Sequence, residues 1–157
     1  MVNMTERPKS EIDADAFTVR RSIHISAPLE RVWTALTDAQ QISRWFGEAR
    51  LEGSGVGAGG TLTWPDHGST AFRVEAIDEP KSISYRWNEK PSTGEPVITD
   101  ASTVFTFTLE ARGSGTQLTV VETGFETTSD PAAQLESHRG GWDFELDELI
   151  ALLESAE

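Results

Sequence analysis

The last part of the chain carries a helical pattern that constrains the fold more than any other feature. Apolar and aromatic residues recur there at the spacing of one helix face, and they are Leu135, His138, Trp142, Leu146, Leu149 and Leu153. Ser129 or Asp130, followed by Pro131, supplies a cap and a first turn. The pattern predicts a helix of about 24 residues, roughly 36 Å long at 1.5 Å per residue. A helix of that length spans a whole domain.

A second pattern, nearer the start of the chain, joins a strand to two short helices. Phe17, Val19, Ile23 and Ile25 alternate with polar residues, as in a half-buried strand, although Arg21 interrupts the apolar face. A first helix is predicted to start at Pro28, and a second ends before Gly47; their apolar residues are Leu29, Val32, Trp33, Leu36, Ile42, Trp45 and Phe46.

The middle of the chain changes to short apolar runs separated by turn formers. Strands are predicted near residues 48–52, 60–64, 70–78, 82–88, 101–110 and 116–125. Strands that follow one another in this way form an antiparallel meander, and residues 88–99 make a longer loop. We expect a disordered tail over residues 1–15 and a single domain over residues 16–157.

Composition excludes several classes of function. The chain has 157 residues, no cysteine and a formal net charge of −13, which disfavours binding to nucleic acid. The longest basic cluster, Arg20-Arg21, is expected on a solvated strand face. No apolar run is long enough to insert into a membrane, and no secretory signal is visible, so a cytoplasmic location is expected.

The predicted element order is β-α-α-β-β-β-β-β-β-α, an α+β class. This order resembles the START-like (SRPBCC, helix-grip) superfamily, as do Ser26-Ala27-Pro28-Leu29-Glu30-Arg31-Val32-Trp33, the Trp45-Phe46 pair and Gly141-Trp142. Within it, the nearest likeness is to the heat-shock protein 90 ATPase activator homologue family. The resemblance implies a curved antiparallel sheet wrapped around the C-terminal helix, with a cavity between them.

The resemblance further implies that this cavity holds a small hydrophobic or amphipathic molecule, such as a lipid, a polyketide or an aromatic metabolite. Strand alternation predicts three inward faces, formed by Phe72, Val74 and Ala76, by Ile83, Tyr85 and Trp87, and by Phe105, Phe107 and Leu109. The predicted walls are Tyr85, Trp87, Phe105, Phe107, Trp142 and Leu146, and further predicted ligand-binding residues are Trp45, Phe46, Trp64 and Phe72. No cofactor is expected.

Three polar residues are candidates to orient such a ligand. Glu145 and His138 belong to the predicted long helix, and Arg73 lies on a predicted strand. Trp64, Asp66, His67 and Arg73 are candidates for the mouth of the cavity. A buried carboxyl group tends to hold its proton, so Glu145 could transfer a proton to a ligand, and His138 is a second candidate for that role. A cavity enzyme of cyclase, dehydratase or hydrolase type is therefore an open alternative.

Other motifs indicate packing or partners rather than chemistry. The three histidines are too scattered for a metal site, and the glycine-rich run 53–60 lacks the Lys-Ser/Thr ending of a P-loop. Gly140-Gly141 indicates close packing of the helix, or a cavity wall. Phe144 is predicted to face solvent, where it could serve a homodimer or, in a chaperone-related interaction module of the stress response, a protein partner.

Overall fold

Eight antiparallel strands form one curved sheet in the order β1-β2-β8-β7-β6-β5-β4-β3. The computed structural model describes residues 7–65, 67–88 and 98–155. The strands are β1 Glu11–Asp13, β2 Thr18–Ile25, β3 Glu48–Glu52, β4 Gly59–Trp64, β5 Gly68–Asp78, β6 Ser82–Asn88, β7 Ser102–Arg112 and β8 Gly115–Thr123. The fold is the predicted helix grip, because strands β3 to β8 form the expected meander and β2 pairs with β8.

Three helices complete the element order. They are α1 Leu29–Thr37, α2 Ala39–Ile42 and α3 Pro131–Glu154. The 24-residue length and the cap of α3 are as predicted, since the Asp130 side chain accepts from the Ala133 amide and Pro131 occupies the first turn. Pro28 is the residue before α1, and α2 ends earlier than predicted, with Trp45 and Phe46 in the following turns. No helix of the described residues has the length and apolarity that crossing a membrane requires.

The core lies between the concave face of the sheet and the apolar stripe of α3. Every residue of the predicted stripe is buried except His138, which is half-buried. Two buried polar tips are satisfied by the backbone of α1: the Tyr85 hydroxyl donates to the Leu36 carbonyl at 2.7 Å, and the Trp45 indole donates to the Ala35 carbonyl at 2.8 Å. The first bond attaches α1 to β6, and the second joins α1 to the segment that follows α2.

One predicted inward residue lies on the wrong face. Ala76 is exposed, although Phe72 and Val74 on the same strand are buried as expected. The register between β5 and β6 shifts between Val74 and Ala76, where Glu75 is the extra residue of a β-bulge. A bulge adds one residue and so reverses the alternation after it. Residues beyond the bulge therefore lie on the opposite face from the one that uninterrupted alternation predicts.

The N-terminal segment is more ordered than predicted. Residues 11–13 form β1 on the edge of the sheet, so the expected disorder is wrong for this part, while residues 1–6 lie outside the described ranges. The segment is held by the Ser10 amide, which donates to the Asp143 carboxylate at 2.7 Å, and by the Pro8 carbonyl, which accepts from the Arg21 guanidinium at 2.8 Å.

Arg21 is buried, which contradicts the prediction of a solvated face. Its guanidinium donates to the backbone carbonyls of Trp142 and Asp143 at 3.3 and 3.1 Å and pairs with Asp147 at 3.0 Å. The interruption in the apolar pattern of β2 is thus an ionic contact between the sheet and the middle of α3. Since guanidinium groups carry five donors, one buried arginine can satisfy several acceptors at once.

Candidate functional site

An open cavity lies between the first half of α3 and the strands β4 to β6. Its inner part, of about 150 Å³, is lined by Phe46, Trp64, Trp87, Ser137, His138, Gly141, Trp142 and Glu145. An outer groove of about 390 Å³ shares six of these residues and adds His67, Ser69, Thr70 and Asn88. We call these two spaces the inner cavity and the outer groove. Aromatic rings line the sheet side, and polar groups from α3 enter from the other.

Gly141 opens this space. A Cβ atom built at Gly141 would meet no other part of the protein within 4 Å, and the same is true at Gly140. Close packing of the helix, one of the two predicted roles of the glycine pair, is therefore wrong. Gly140 is exposed and does not line the cavity, whereas Gly141 lines both the inner cavity and the outer groove. A glycine inside a helix costs on the order of 1 kcal/mol of stability relative to alanine. The open space that Gly141 leaves for a ligand explains why a glycine stands at this position despite that cost.

The floor beneath His138 is a buried carboxylate. Glu122 on β8 is completely buried, and its two oxygens accept from four side chains. The donors are His138 Nδ1 at 2.9 Å, the indoles of Trp142 and Trp87 at 2.8 Å each, and the Thr103 hydroxyl. Three of these four donors, all except Thr103, also line the inner cavity. Glu122 thus fixes the cavity wall without touching the cavity.

The pair formed by Glu122 and His138 favours its charged state. Burial alone would raise the pKa of Glu122, but the charge of His138 and the hydrogen bonds from His138, Thr103 and Trp142 lower it below the usual value. Desolvation would likewise lower the pKa of His138, yet the charge and hydrogen bond of Glu122 raise it above 6.5. Each group therefore keeps its charge over a wider range of pH than it would in water, the imidazole as a cation and the carboxylate beneath it as the counter-charge.

Glu145 behaves in the opposite way. Burial, and secondly the nearby charge of Glu148, raises the pKa of Glu145 to about 8. Its carboxyl group is therefore largely protonated at pH 7 and can donate a hydrogen bond into the cavity. Two residues of α3 that can donate hydrogen bonds, His138 and Glu145, thus line the cavity about two helical turns apart.

The predicted ligand-binding residues differ in where they lie. Six of them line the inner cavity: Phe46, Trp64, Trp87, His138, Trp142 and Glu145. Five others are buried in the core and line neither the inner cavity nor the outer groove: Phe72, Tyr85, Phe105, Phe107 and Leu146. Trp45 lines a separate surface depression beside Arg44 and Gly47. The core aromatics support the wall from behind, as where Phe105 packs on Trp87 and Trp142 with ring centroids 4.6 and 5.2 Å apart.

The candidate mouth residues are divided in the same way. Trp64 and His67 line the outer groove, whereas Asp66 lies outside the described residues. Arg73 lines neither the inner cavity nor the outer groove, because it follows inward-facing Phe72 and forms an ion pair with Glu75 at 2.7 Å on the opposite face. Phe144 is 63% exposed, as predicted for a surface aromatic.

Sequence reasoning missed Glu122, although a signal for it exists. Strand alternation places Glu122 on the same face as Leu118 and Val120, so it interrupts an apolar pattern as Arg21 does on β2. Thr70, Asn88 and Ser137 were also missed, because nothing in the chain marks them as neighbours of the groove. Within the part of the chain that the structure describes, no group of three or more His, Asp or Glu side chains could hold a metal ion.

Solved structures share this architecture. The crystal structure of MLL2253 from Mesorhizobium loti is 27% identical over 89% of this chain and 98% of that one, with a TM-score of 0.71. The Aha1 dimer from Colwellia psychrerythraea is 21% identical over 87% and 96%, with a TM-score of 0.67. DynU16, a protein in the dynemicin biosynthetic locus, is 22% identical over 88% of this chain but only 47% of that one, with a TM-score of 0.68.

No curated protein matches the chain. The family model described as "Activator of Hsp90 ATPase homolog 1-like protein" matches residues 26–154, from the end of β2 to the last turn of α3. That range contains the cavity, its aromatic wall and the Glu122–His138 pair. The chain therefore belongs to the family of Activator of Hsp90 ATPase homolog 1-like proteins, within the START-like helix-grip superfamily.

Proposed function

We propose that this protein binds a small, largely apolar, ring-bearing molecule in the inner cavity and the outer groove. The observation that carries this proposal is an aromatic wall, formed by Phe46, Trp64, Trp87 and Trp142, that faces open space above Gly141. Aromatic side chains bury large areas and stack on flat ligands. The volume of the outer groove alone falls within the range of small-molecule sites, roughly 300–1,000 Å³.

A ring-bearing metabolite, such as an aromatic polyketide, has the shape that the wall requires. Lipid chains fit less well, because the polar groups of His138 and Glu145 lie in the cavity wall.

A matched pair of variants tests whether the cavity is the binding site. Gly141→Leu places a side chain into the space, whereas Gly140→Leu places the same side chain on the exposed side of the same helix turn. Both substitutions remove a helical glycine, so both are expected to keep or raise helix stability by similar amounts. Native mass spectrometry of protein purified from cells is expected to show a small-molecule adduct in wild type and Gly140→Leu, and none in Gly141→Leu. Equal adducts in the two variants would place binding elsewhere.

Catalysis in the same cavity is a second candidate, favoured by the state of Glu145. A carboxyl group with a pKa of about 8 can serve as a general acid near neutral pH. An enzyme of cyclase, dehydratase or hydrolase type would lose turnover in Glu145→Gln while still binding its substrate. If wild type and Glu145→Gln both bind a panel of aromatic polyketides and neither turns them over, catalysis is excluded for those substrates and the binding function remains.

A partner-binding role rests on a different surface. Phe144 is exposed on α3, and the related structure from Colwellia psychrerythraea is described as a dimer. If Phe144 lies in a homodimer interface, Phe144→Ser would convert the dimer into a monomer in analytical ultracentrifugation. A monomeric wild-type protein would exclude this role for Phe144.

A further inference from the structure

The geometry beneath the cavity points to the chemical class of its ligand. We propose that the bound molecule carries a carbonyl or carboxylate oxygen, and that this oxygen accepts a hydrogen bond from His138 Nε2, whose ring Glu122 holds in place. This inference rests on the proposed function, because it assigns a polar contact within the same site.

The tautomer of His138 follows from its partner. A carboxylate can only accept, so Nδ1 must donate its hydrogen to Glu122 Oε1, at 2.9 Å. The ring plane is also held, because Trp87 and Phe125 contact it edge to face with centroids 5.7 and 5.1 Å away. With Nδ1 directed at the sheet, Nε2 lies on the far side of the ring, and it has no hydrogen-bond partner among the described residues.

The charge state then makes Nε2 a donor. The buried carboxylate favours the imidazolium form, in which both ring nitrogens carry hydrogen. Glu122 itself cannot reach a ligand, because it is fully buried and each of its oxygens already accepts two hydrogen bonds. His138 is therefore the group through which this buried charge acts on the cavity.

A second donor lies on the same wall. Glu145 is protonated at neutral pH and faces the inner cavity together with His138. The titratable groups among the described lining residues are His67, His138 and Glu145, with Glu148 beside Glu145 on α3. A ligand oxygen would thus meet hydrogen donors, whereas an ammonium group would face a histidine cation and an uncharged carboxyl group.

Three probes of one shape can test this class. They are 2-acetylnaphthalene, 2-ethylnaphthalene and 1-(2-naphthyl)ethylamine, which share the ring system and differ in carrying a carbonyl oxygen, no polar group or an ammonium group. Binding is measured at pH 6.5 by quenching of tryptophan fluorescence. Because a hydrogen bond from a charged donor is stronger than one from a neutral donor, the ketone is expected to bind at least about tenfold more tightly than the hydrocarbon, and more tightly than the amine.

Two variants at one position separate the nitrogens. Asparagine has an amide nitrogen near the position of Nδ1, so His138→Asn keeps a donor for Glu122 and loses Nε2. Glutamine reaches the position of Nε2, so His138→Gln keeps a donor for the ligand. The preference for the ketone over the hydrocarbon is expected to disappear in His138→Asn and to survive in part in His138→Gln.

The wild-type protein supplies an independent measurement if a variant does not fold. The ketone preference is expected to fall as the pH rises through the raised pKa of His138, and also through about 8, where Glu145 ionises. Equal binding of ketone and hydrocarbon at pH 6.5, with both lost in Gly141→Leu, would overturn this inference and leave the proposed function standing. Failure of all three probes to bind would count against both.

Discussion

Two buried charges contact α3 from neighbouring strands, and they differ in what they do there. Arg21 on β2 lies opposite Val120, two residues before Glu122 on β8, so the two side chains occupy adjacent places on the concave face. Trp142 contacts both, since its carbonyl accepts from Arg21 and its indole donates to Glu122. Each charge is an exception within an apolar strand face, and each is satisfied by several partners.

The partners explain the difference. Arg21 binds backbone carbonyls and two partly exposed carboxylates, those of Asp143 and Asp147, and neither aspartate lines the cavity. It meets one lining residue, Trp142, but only at the backbone carbonyl. Glu122 binds side chains, three of which form the cavity wall. The same device, a buried charge satisfied by α3, is thus structural in one case and positions a candidate site in the other. What surrounds a buried charge, rather than the charge itself, indicates its role.

Removal of Glu122 is expected to have the largest effect. Glu122→Leu leaves the Trp142 indole and the Thr103 hydroxyl buried without the acceptor they had, leaves the Trp87 indole with Thr103 alone, and removes the counter-charge of His138. At about 1–3 kcal/mol for each unsatisfied group, we expect a loss of roughly 4 kcal/mol in the free energy of unfolding, measured by urea denaturation. Thr116→Val is the matched control, because Thr116 is equally buried on β8 but its side chain makes one hydrogen bond among the described residues, to the Ala27 carbonyl. Its replacement should cost only about 1 kcal/mol. If Glu122→Leu and Thr116→Val lose the same free energy of unfolding, the four hydrogen bonds of Glu122 contribute no more to stability than the single bond of Thr116.

Arg21→Met is expected to have a smaller effect. The carbonyls of Trp142 and Asp143 remain within the backbone of α3 when the guanidinium is removed. The carboxylates of Asp143 and Asp147 can be hydrated, because these side chains are 19% and 54% exposed. We expect a loss of about 2 kcal/mol in the free energy of unfolding, with the ketone preference of the cavity unchanged. Arg20→Met, one residue earlier on the exposed face, should be nearly neutral. A changed ketone preference in Arg21→Met would show that both charges act on the cavity.

The smallest effect concerns pH. The pKa of Glu145 is about 8 in the folded protein and near 4.5 in the unfolded chain, so between these values the folded state binds the extra proton. Stability contributed by this group is therefore full below pH 4.5 and is lost as the pH rises to about 8. In Glu145→Gln, the fall in unfolding free energy between pH 5 and pH 9 should shrink by about 1 kcal/mol, after allowance for partial solvent screening.

Glu148→Gln sharpens this measurement. Because the charge of Glu148 contributes to the raised pKa of Glu145, its removal should move the midpoint of the pH dependence to lower pH without abolishing it. An unchanged pH profile in Glu145→Gln would mean that Glu145 is ionised in the folded protein at neutral pH. The second donor proposed for the cavity would then be absent.

Much of the fold could be predicted because local patterns carry it. The period of α3, the alternation of β6 and β7 and the Asp130-Pro131 start each depend on neighbours within a few residues. The exceptions have non-local causes. Ala76 is exposed because of a bulge against β6, and residues 11–13 join the sheet because β2 offers them an edge.

The candidate site was predictable in part. Trp64, Trp87, Trp142, His138 and Glu145 were identified from aromatic content or from their place on the helix stripe, and they line the inner cavity. Pattern could not separate these wall residues from core residues such as Phe105, which lie on the same faces. That separation depends on the distance between α3 and each strand, which no local period encodes.

By itself the sequence determined the helix-grip order, the long amphipathic helix and the aromatic strand faces, since hydrophobic periodicity and turn residues act over short distances. Only the tertiary structure decided which of two adjacent glycines faces a cavity, and which interruption of an apolar face, Arg21 or Glu122, belongs to a site. The reason is physical: the role of a buried charge depends on the groups that desolvate and hydrogen-bond it. For both charges, several of those groups come from α3, which lies some 20 residues away from Glu122 in the chain and some 120 from Arg21.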